Sequence, residues 1–315
     1  MVIRQAFVLG AGLGTRLRPL TDDIPKPLMP IFHKPLITFA LDHLRAIGVG
    51  NFVINTHHLA DQFHQTFAGD VYLGAPVKLA HEPVLLETGG GIKNAQPYLE
   101  AEPFIVYSGD ILTDIDLAAL VAEHEARGND VTLALRRTRF PAGVVLKDGR
   151  VIDITRGSTQ PGNFDYANVS VWNPDMFARF TAAVKISFIP VLVDWIKQGG
   201  KVGGLVLDEG GWFNIGSRGE YLDVHRLIAR KEWRPGYVRD ENWPAAIAPG
   251  AEVAPDAQLQ GCSVVSAGCR VEGGARLLDT IVWPGAQIAS RSDLQSCIVR
   301  SRKTVAQGTY RDSDL

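Results

Sequence analysis

Aliphatic residues recur at every sixth position in the C-terminal part of the 315-residue chain: Ile247, Val253, Leu259, Val265, Val271 and Leu277. After a one-residue slip the series resumes at Val282, Ile288 and Leu294, and after another at Val299 and Val305. Neither a helix, with a period near 3.6, nor a strand exposed on one face, with a period of 2, repeats every six residues. Small and turn-forming residues fill the intervals (APGAE, APDAQ, SAGCR, EGGAR). Each hexad therefore reads as one short strand plus a turn, and three hexads close one triangular coil of a parallel β-helix. At that length about three coils fit into residues 236–315.

Upstream the pattern differs. Short β-branched runs (QAFVLG, NFVINT, VKLAH, PFIVYSG, DVTLALR) alternate with helical stretches such as LITFALDHLRAIG and DLAALVAEHEARG. That alternation predicts βαβ units and a mostly parallel sheet covered by helices, an α/β fold. All 13 phenylalanines lie at or before Phe213 and all three cysteines follow residue 261, so two domains are expected, 1–235 and 236–315, divided near the stretch RPGYVRDENWP.

The loop after the first strand, Gly10-Ala11-Gly12-Leu13-Gly14-Thr15-Arg16, is the strongest local motif. Its glycines let backbone N–H groups approach a polyphosphate. A dinucleotide fingerprint would need glycine in place of Thr15, and a Walker loop would end in Gly-Lys-Ser/Thr, so both are excluded. Ten residues past Arg16 stands Lys26, held between Pro25 and Pro27, whose rings restrict the backbone. Two cations thus bracket a glycine loop.

The run GAGLGTRLRPLT followed by PKPL resembles the signature of the sugar-1-phosphate nucleotidyltransferases, a family in which a left-handed hexapeptide β-helix can follow a Rossmann-like catalytic domain. The resemblance implies that Leu9, Gly10, Ala11, Gly12, Gly14 and Thr15 bind a nucleoside triphosphate and that Arg16 and Lys26 act on its phosphates. It also implies a Mg²⁺ cofactor held by an aspartate at a strand end, and Phe104–Asp110 (FIVYSGD) supplies Asp110. The carboxyl end of a parallel strand is where ligands bind in open α/β sheets. Family members carry a second carboxylate in Trp-x-Asp-x-Gly. Here Trp212-Phe213-Asn214-Ile215-Gly216 offers Asn214, whose neutral carbonyl oxygen can ligate a cation without offsetting its charge.

The segment from Glu82 through Leu86-Glu87-Thr88-Gly89-Gly90-Gly91-Ile92 resembles the family's base and ribose contacts, which nominates Glu82, Thr88 and Gly89 for the nucleotide and Glu87 for the sugar. The two oxygens of Glu82 match the adjacent N1–H and N2–H₂ donors of guanine, and one of them would suffice for N3–H of uracil. Gly143 and Asn168 fall where members place the hexose. The family's Glu-Lys-Pro triplet is absent, and Arg156 stands near its place. The expected reaction is nucleotidyl transfer from GTP to mannose 1-phosphate or a related sugar. Alternatives are UTP-dependent transfer to N-acetylmuramate 1-phosphate, or a non-catalytic regulatory subunit of an active homologue.

Composition narrows the partners. Lys plus Arg number 32 against 34 Asp plus Glu, a net charge of −2, with no basic run to neutralise a nucleic-acid backbone. A mean hydropathy of +0.03 and the absence of any long apolar stretch argue against a membrane span. Three cysteines without metal-ligand spacing suit free thiols in a reducing compartment, so a cytoplasmic location is expected. His57, His58 and His64 lack the companions of a zinc site. Finally, a β-helix this short is expected to assemble homo-oligomers, with Trp243 and Trp283 as candidate exposed apolar contacts.

Overall fold

A computed structural model describes residues 2–139, 142–154 and 162–315. The chain divides into two compact units, one formed by 1–13 and 40–212, the other by 14–39 and 213–315.

The first unit is built on a ten-stranded sheet. At its centre Gln5–Leu9 pairs in parallel with Asn51–Thr56 on one side and Phe104–Ser108 on the other, and Ala75–His81 extends the parallel half. Asp165–Trp172 runs antiparallel to both Phe104–Ser108 and Val131–Arg136, making the sheet mixed. The central strands are buried on both faces, which is why QAFVL and FIVYS read as continuous apolar runs and not as alternating ones. Helices pack on the sheet. Leu117–Arg127 starts at Asp116, whose side chain accepts from Ala119 N, and ends at Gly128 in the left-handed conformation. On one face Phe104 stacks on Phe177 at 5.1 Å between centroids, and Trp172 packs edge-on to Phe188.

The second unit contains the expected β-helix. Three parallel ladders run through it. Val253, Val271, Ile288 and Val305 stack in one, Leu259, Leu277, Leu294 and Tyr310 in the next, and Val265, Val282 and Val299 in the third. The hexad residues from Val253 onward fill the interior together with Cys269 and Cys297, whereas Ile247, at the start of the series, is 45 % exposed. The two slips in the hexad series fall at one corner, where Asp279 and Ser296 turn the chain at φ 49° and 50°. Cys262, Cys269 and Cys297 are free thiols, and burial pushes that of Cys262 up to about 12.

Trp243 and Trp283 are not exposed, contrary to expectation. Trp283 is 0 % exposed and donates from Nε1 to Tyr221 Oη at 3.0 Å. Trp243 lies edge-on to Phe39 and donates to Ile31 O at 3.1 Å. Each indole finds apolar cover and an acceptor for its N–H in segments distant in sequence but belonging to the same unit. Helix Arg218–Ala229 packs against Trp283 through Tyr221 and against Phe32 through His225. It is capped by Ser217 Oγ, which accepts from Glu220 N, while the Glu220 carboxylate accepts from Gly216 N. Its His225 is fully enclosed, accepts from Phe32 N, and is pushed down to about 4 by burial, so it is neutral near pH 7.

Candidate functional site

In the sheet-bearing unit, the strand Gln5–Leu9 delivers the chain to the glycine loop. Gly10 N donates to Asn55 Oδ1 at 2.7 Å, and Asn55 Nδ2 donates to Glu82 Oε1 at 2.7 Å. The other carboxylate oxygen, Oε2, accepts from Leu86 N at 2.9 Å. Glu82 is 0 % exposed and Asn55 2 %. Both carboxylate oxygens are therefore engaged within the chain, and Glu82 ties the loop entry to the segment that follows it. A Cβ at position 91 would lie 2.8 Å from both Asn55 Nδ2 and Glu82 Oε1, so only glycine fits against this pair.

The remaining glycines of the run are equally enclosed. Gly89 N and Gly90 N both donate to Ile186 O, at 2.8 and 3.0 Å, and Thr88 Oγ1 accepts from Phe188 N. Glu87 is the exposed member, with φ 61° and Oε1 3.8 Å from Lys185 Nζ. Gly12 has open space where a Cβ would stand, and the loop from Gly12 to Arg16 faces solvent apart from the half-buried Gly14. Ala11 is buried and Leu9 half-buried.

Asp110 sits half-buried at the end of Phe104–Ser108, next to Gly109, whose N–H donates to Leu9 O at 2.9 Å. Asp114 and Asp116 have other work, accepting from Gly211 N and Ala119 N. On the sugar side Gly143 is buried, its N–H donating to Phe164 O. Asn168 stands at φ 62° within a register shift between Tyr166 and Ser170, a bulge of the kind that re-aims side chains beside sites. Arg156 lies outside the described residues.

In the second unit Gly14 adopts the left-handed conformation, φ 61° and ψ 24°, and its carbonyl accepts from Thr21 Oγ1 at 2.9 Å. A Cβ there would stand 2.9 Å from Thr21 Cγ2 and 3.1 Å from Lys26 Cβ, so both conformation and space demand glycine. Lys26 is 5 % exposed, while Thr15 and Arg16 are open to solvent. The Arg16 guanidinium lies 3.1–3.2 Å from where a Cβ on Gly216 would project. This unit thus gathers Gly14, Arg16, Lys26 and Gly216. Asn214 is half-buried in the strand Trp212–Asn214, and its carbonyl accepts from Gly216 N at 2.7 Å.

Asn55 was not among the residues nominated by sequence. The only signal was an amide near the end of an otherwise apolar strand, and its partners lie 45 and 27 residues away. The pairing of Arg16 with Gly216 was equally hidden. Among the described residues no group of three or more His, Cys, Asp or Glu side chains is placed to hold a metal, His57, His58 and His64 included. Asp110 is a carboxylate and Asn214 an amide, and each is an oxygen donor of the kind that Mg²⁺ accepts beside substrate phosphates and water.

Residues 5–231 match the nucleotidyl transferase family. The chain is 34 % identical over 216 residues to the N-acetylmuramate alpha-1-phosphate uridylyltransferase of Neisseria meningitidis, covering 65 % of this chain and 93 % of the relative. It is 29 % identical over 287 residues to the mannose-1-phosphate guanylyltransferase of Mycobacterium tuberculosis, covering 89 % and 79 %. Among solved structures, HddC from Yersinia pseudotuberculosis superposes with a TM-score of 0.60 at 24 % identity, covering 70 % of this chain and 98 % of that one. The inositol-1-phosphate CTP transferase from T. maritima superposes with a TM-score of 0.59 at 22 % identity, covering 70 % and 92 %. These two likenesses concern the fold.

Proposed function

The chain belongs to the nucleotidyl transferase family, and we propose that it transfers a nucleotidyl group from a nucleoside triphosphate to a sugar 1-phosphate. An oxygen of the sugar phosphate bonds to the α-phosphorus, the bond from that phosphorus to the α–β bridging oxygen breaks, and its electron pair leaves with pyrophosphate. The attacking group is already anionic and the leaving group is stable, so positioning and charge neutralisation suffice and no covalent enzyme intermediate is needed. The observation that carries this reading is the packing of Gly14 against Lys26, which holds a buried cation beside an exposed glycine loop that also bears Arg16.

In this reading the backbone of Gly10–Thr15 lines the triphosphate, and Arg16 and Lys26 offset charge on the α-phosphate and leaving group. Asp110 and Asn214 are the residues that would hold a magnesium ion, which would supply further positive charge against the phosphate oxygens. Glu82 orders the base-binding segment from inside, Thr88 and Gly89 shape it, and Gly143, Asn168, Glu87 and Arg156 serve the sugar. Catalysis belongs to residues 1–235 and the β-helix to 236–315, in the cytoplasm.

For the base, UTP is the better choice. With both Glu82 oxygens engaged internally, Glu82 favours neither guanine nor uracil, and the choice of UTP rests on the relative at 34 % identity, which is named as an N-acetylmuramate alpha-1-phosphate uridylyltransferase. Pyrophosphate release measured across UTP, GTP, dTTP, ATP and CTP with several sugar 1-phosphates tests this. The expected result is the highest kcat/KM for UTP with N-acetylmuramate 1-phosphate. A maximum for GTP with mannose 1-phosphate would reassign the base and sugar, and no turnover with any pair would make the chain a regulatory subunit. No helix among the described residues is long and apolar enough to cross a membrane. The reading includes a homo-oligomer joined through the β-helix, although neither Trp243 nor Trp283 is available to build it. Light scattering at micromolar concentration is expected to give at least a dimer, and a monomer would remove that part.

A further inference from the structure

We infer that the β-helix is a positioning element for the phosphate-binding segment, acting through Arg300 and Trp283. The inference builds on the proposed roles of Arg16 and Lys26. Residues 14–39, which carry both cations, form one compact unit with the β-helix. Two sets of hydrogen bonds show how they are joined. Arg300, at a corner of the third coil, donates from Nη1 to Asp23 Oδ2 at 2.9 Å and more weakly to Pro19 O at 3.5 Å. Pro19 and Asp23 begin and end the turn of helix that directly follows the Arg16 loop. The Arg300 side chain is 18 % exposed and that of Asp23 48 %, so the pair is shielded on the arginine side only.

On the other side of Lys26, Tyr221 Oη donates to Pro30 O at 2.5 Å and accepts from Trp283 Nε1 at 3.0 Å. Trp283 stands on the second coil, immediately after Ile281–Val282. The segment 19–30, with Lys26 at its middle, is therefore gripped at both ends by residues beyond 235 or by a helix that they hold. That helix is itself tied to the β-helix by Arg226 to Asp279 at 3.0 Å and by Arg218 to Asp314 at 2.7 Å. The coils of this β-helix brace one another because backbone N–H groups along their strands bond to the neighbouring coil. A loop that must hold two cations in fixed directions gains from such a frame, since a displacement of about 1 Å at a reacting centre can cost on the order of a hundredfold in rate.

The test uses the full chain, with Arg300→Gln, Asp23→Asn, their double variant and Trp283→Phe. Arg311→Gln is the control, because Arg311 pairs with Asp293 wholly within the β-helix. Hydrogen exchange of residues 14–30 is expected to rise roughly fivefold in Arg300→Gln and Trp283→Phe and not in the control. The melting temperature should stay close to wild type in the Arg300, Asp23 and Arg311 variants and fall by several degrees in Trp283→Phe, which leaves buried space. With substrates, kcat should fall about three- to tenfold in Arg300→Gln with little change in KM, Asp23→Asn should match it, and the double variant should add nothing further. Arg300→Lys should recover most of the loss. Unchanged exchange in 14–30 overturns the inference whatever the activity, as do additive losses in the double variant. Raised exchange in a wild-type background without turnover leaves the inference standing and removes the proposed reaction, so the two fail separately.

Discussion

Lys26→Met lowers the rate of pyrophosphate release by on the order of 10²–10³-fold, with the fold retained. The magnitude follows from where the charge sits. Lys26 is 5 % exposed, between two prolines that restrict its backbone and against Gly14, so its ammonium acts in a partly dehydrated setting where a charge is worth more than in water. Methionine keeps most of the apolar stem and removes the charge, so packing against Gly14 survives. The check is a coupled pyrophosphate assay beside a thermal melt. Near-normal turnover in a variant that melts like wild type would remove Lys26 from the chemistry. Arg16→Ala serves as the companion measurement, because its solvent-facing guanidinium can be lost with little structural cost.

Glu82→Ala is expected to destabilise the chain by about 2–5 kcal/mol. Truncation strands two buried donors, Asn55 Nδ2 and Leu86 N, each of which then bears the desolvation cost of an unmade hydrogen bond. Asn55 in turn accepts from Gly10 N, so the loss reaches the entry to the glycine loop. Denaturant unfolding at neutral pH measures the effect. If the variant stayed within about 0.5 kcal/mol of wild type, the size of an ordinary surface substitution, the buried network would not be what holds this segment.

These two residues illustrate how unevenly the site could be read. Lys26 was legible because its message is local: flanking prolines, a glycine loop ten residues earlier, and a charge of the sign that phosphate requires. Glu82 was legible as an important acid but not in its direction. A carboxylate beside a proline and a glycine run looks the same in sequence whether it faces a ligand or the interior. Its orientation depends on Asn55, which arrives from another strand. The glycine run was read in the same way as a ligand-facing loop, yet Gly89, Gly90 and Gly91 are small because Ile186, Val184 and the Asn55–Glu82 pair approach them closely. The tryptophans followed the same course, since an isolated indole in sequence carries no sign of the Tyr221 or Ile31 that covers it.

What the sequence determined by itself was everything encoded at short range. The hexad period specifies parallel coils because each coil stacks the same interior position on its neighbour, and the apolar strand runs specify a sheet buried on both faces. The glycine loop and the prolines around Lys26 are local as a motif, although Gly10 finds its partner at Asn55 and Gly14 at Thr21. Only the tertiary structure decided which way Glu82 points, that Arg16 packs beside Gly216, and that residues 14–39 share a compact unit with a β-helix more than two hundred residues downstream. Those outcomes rest on hydrogen bonds and packing between segments with large sequence separation. No residue's identity or spacing records such partners, because they exist only once the chain has closed on itself.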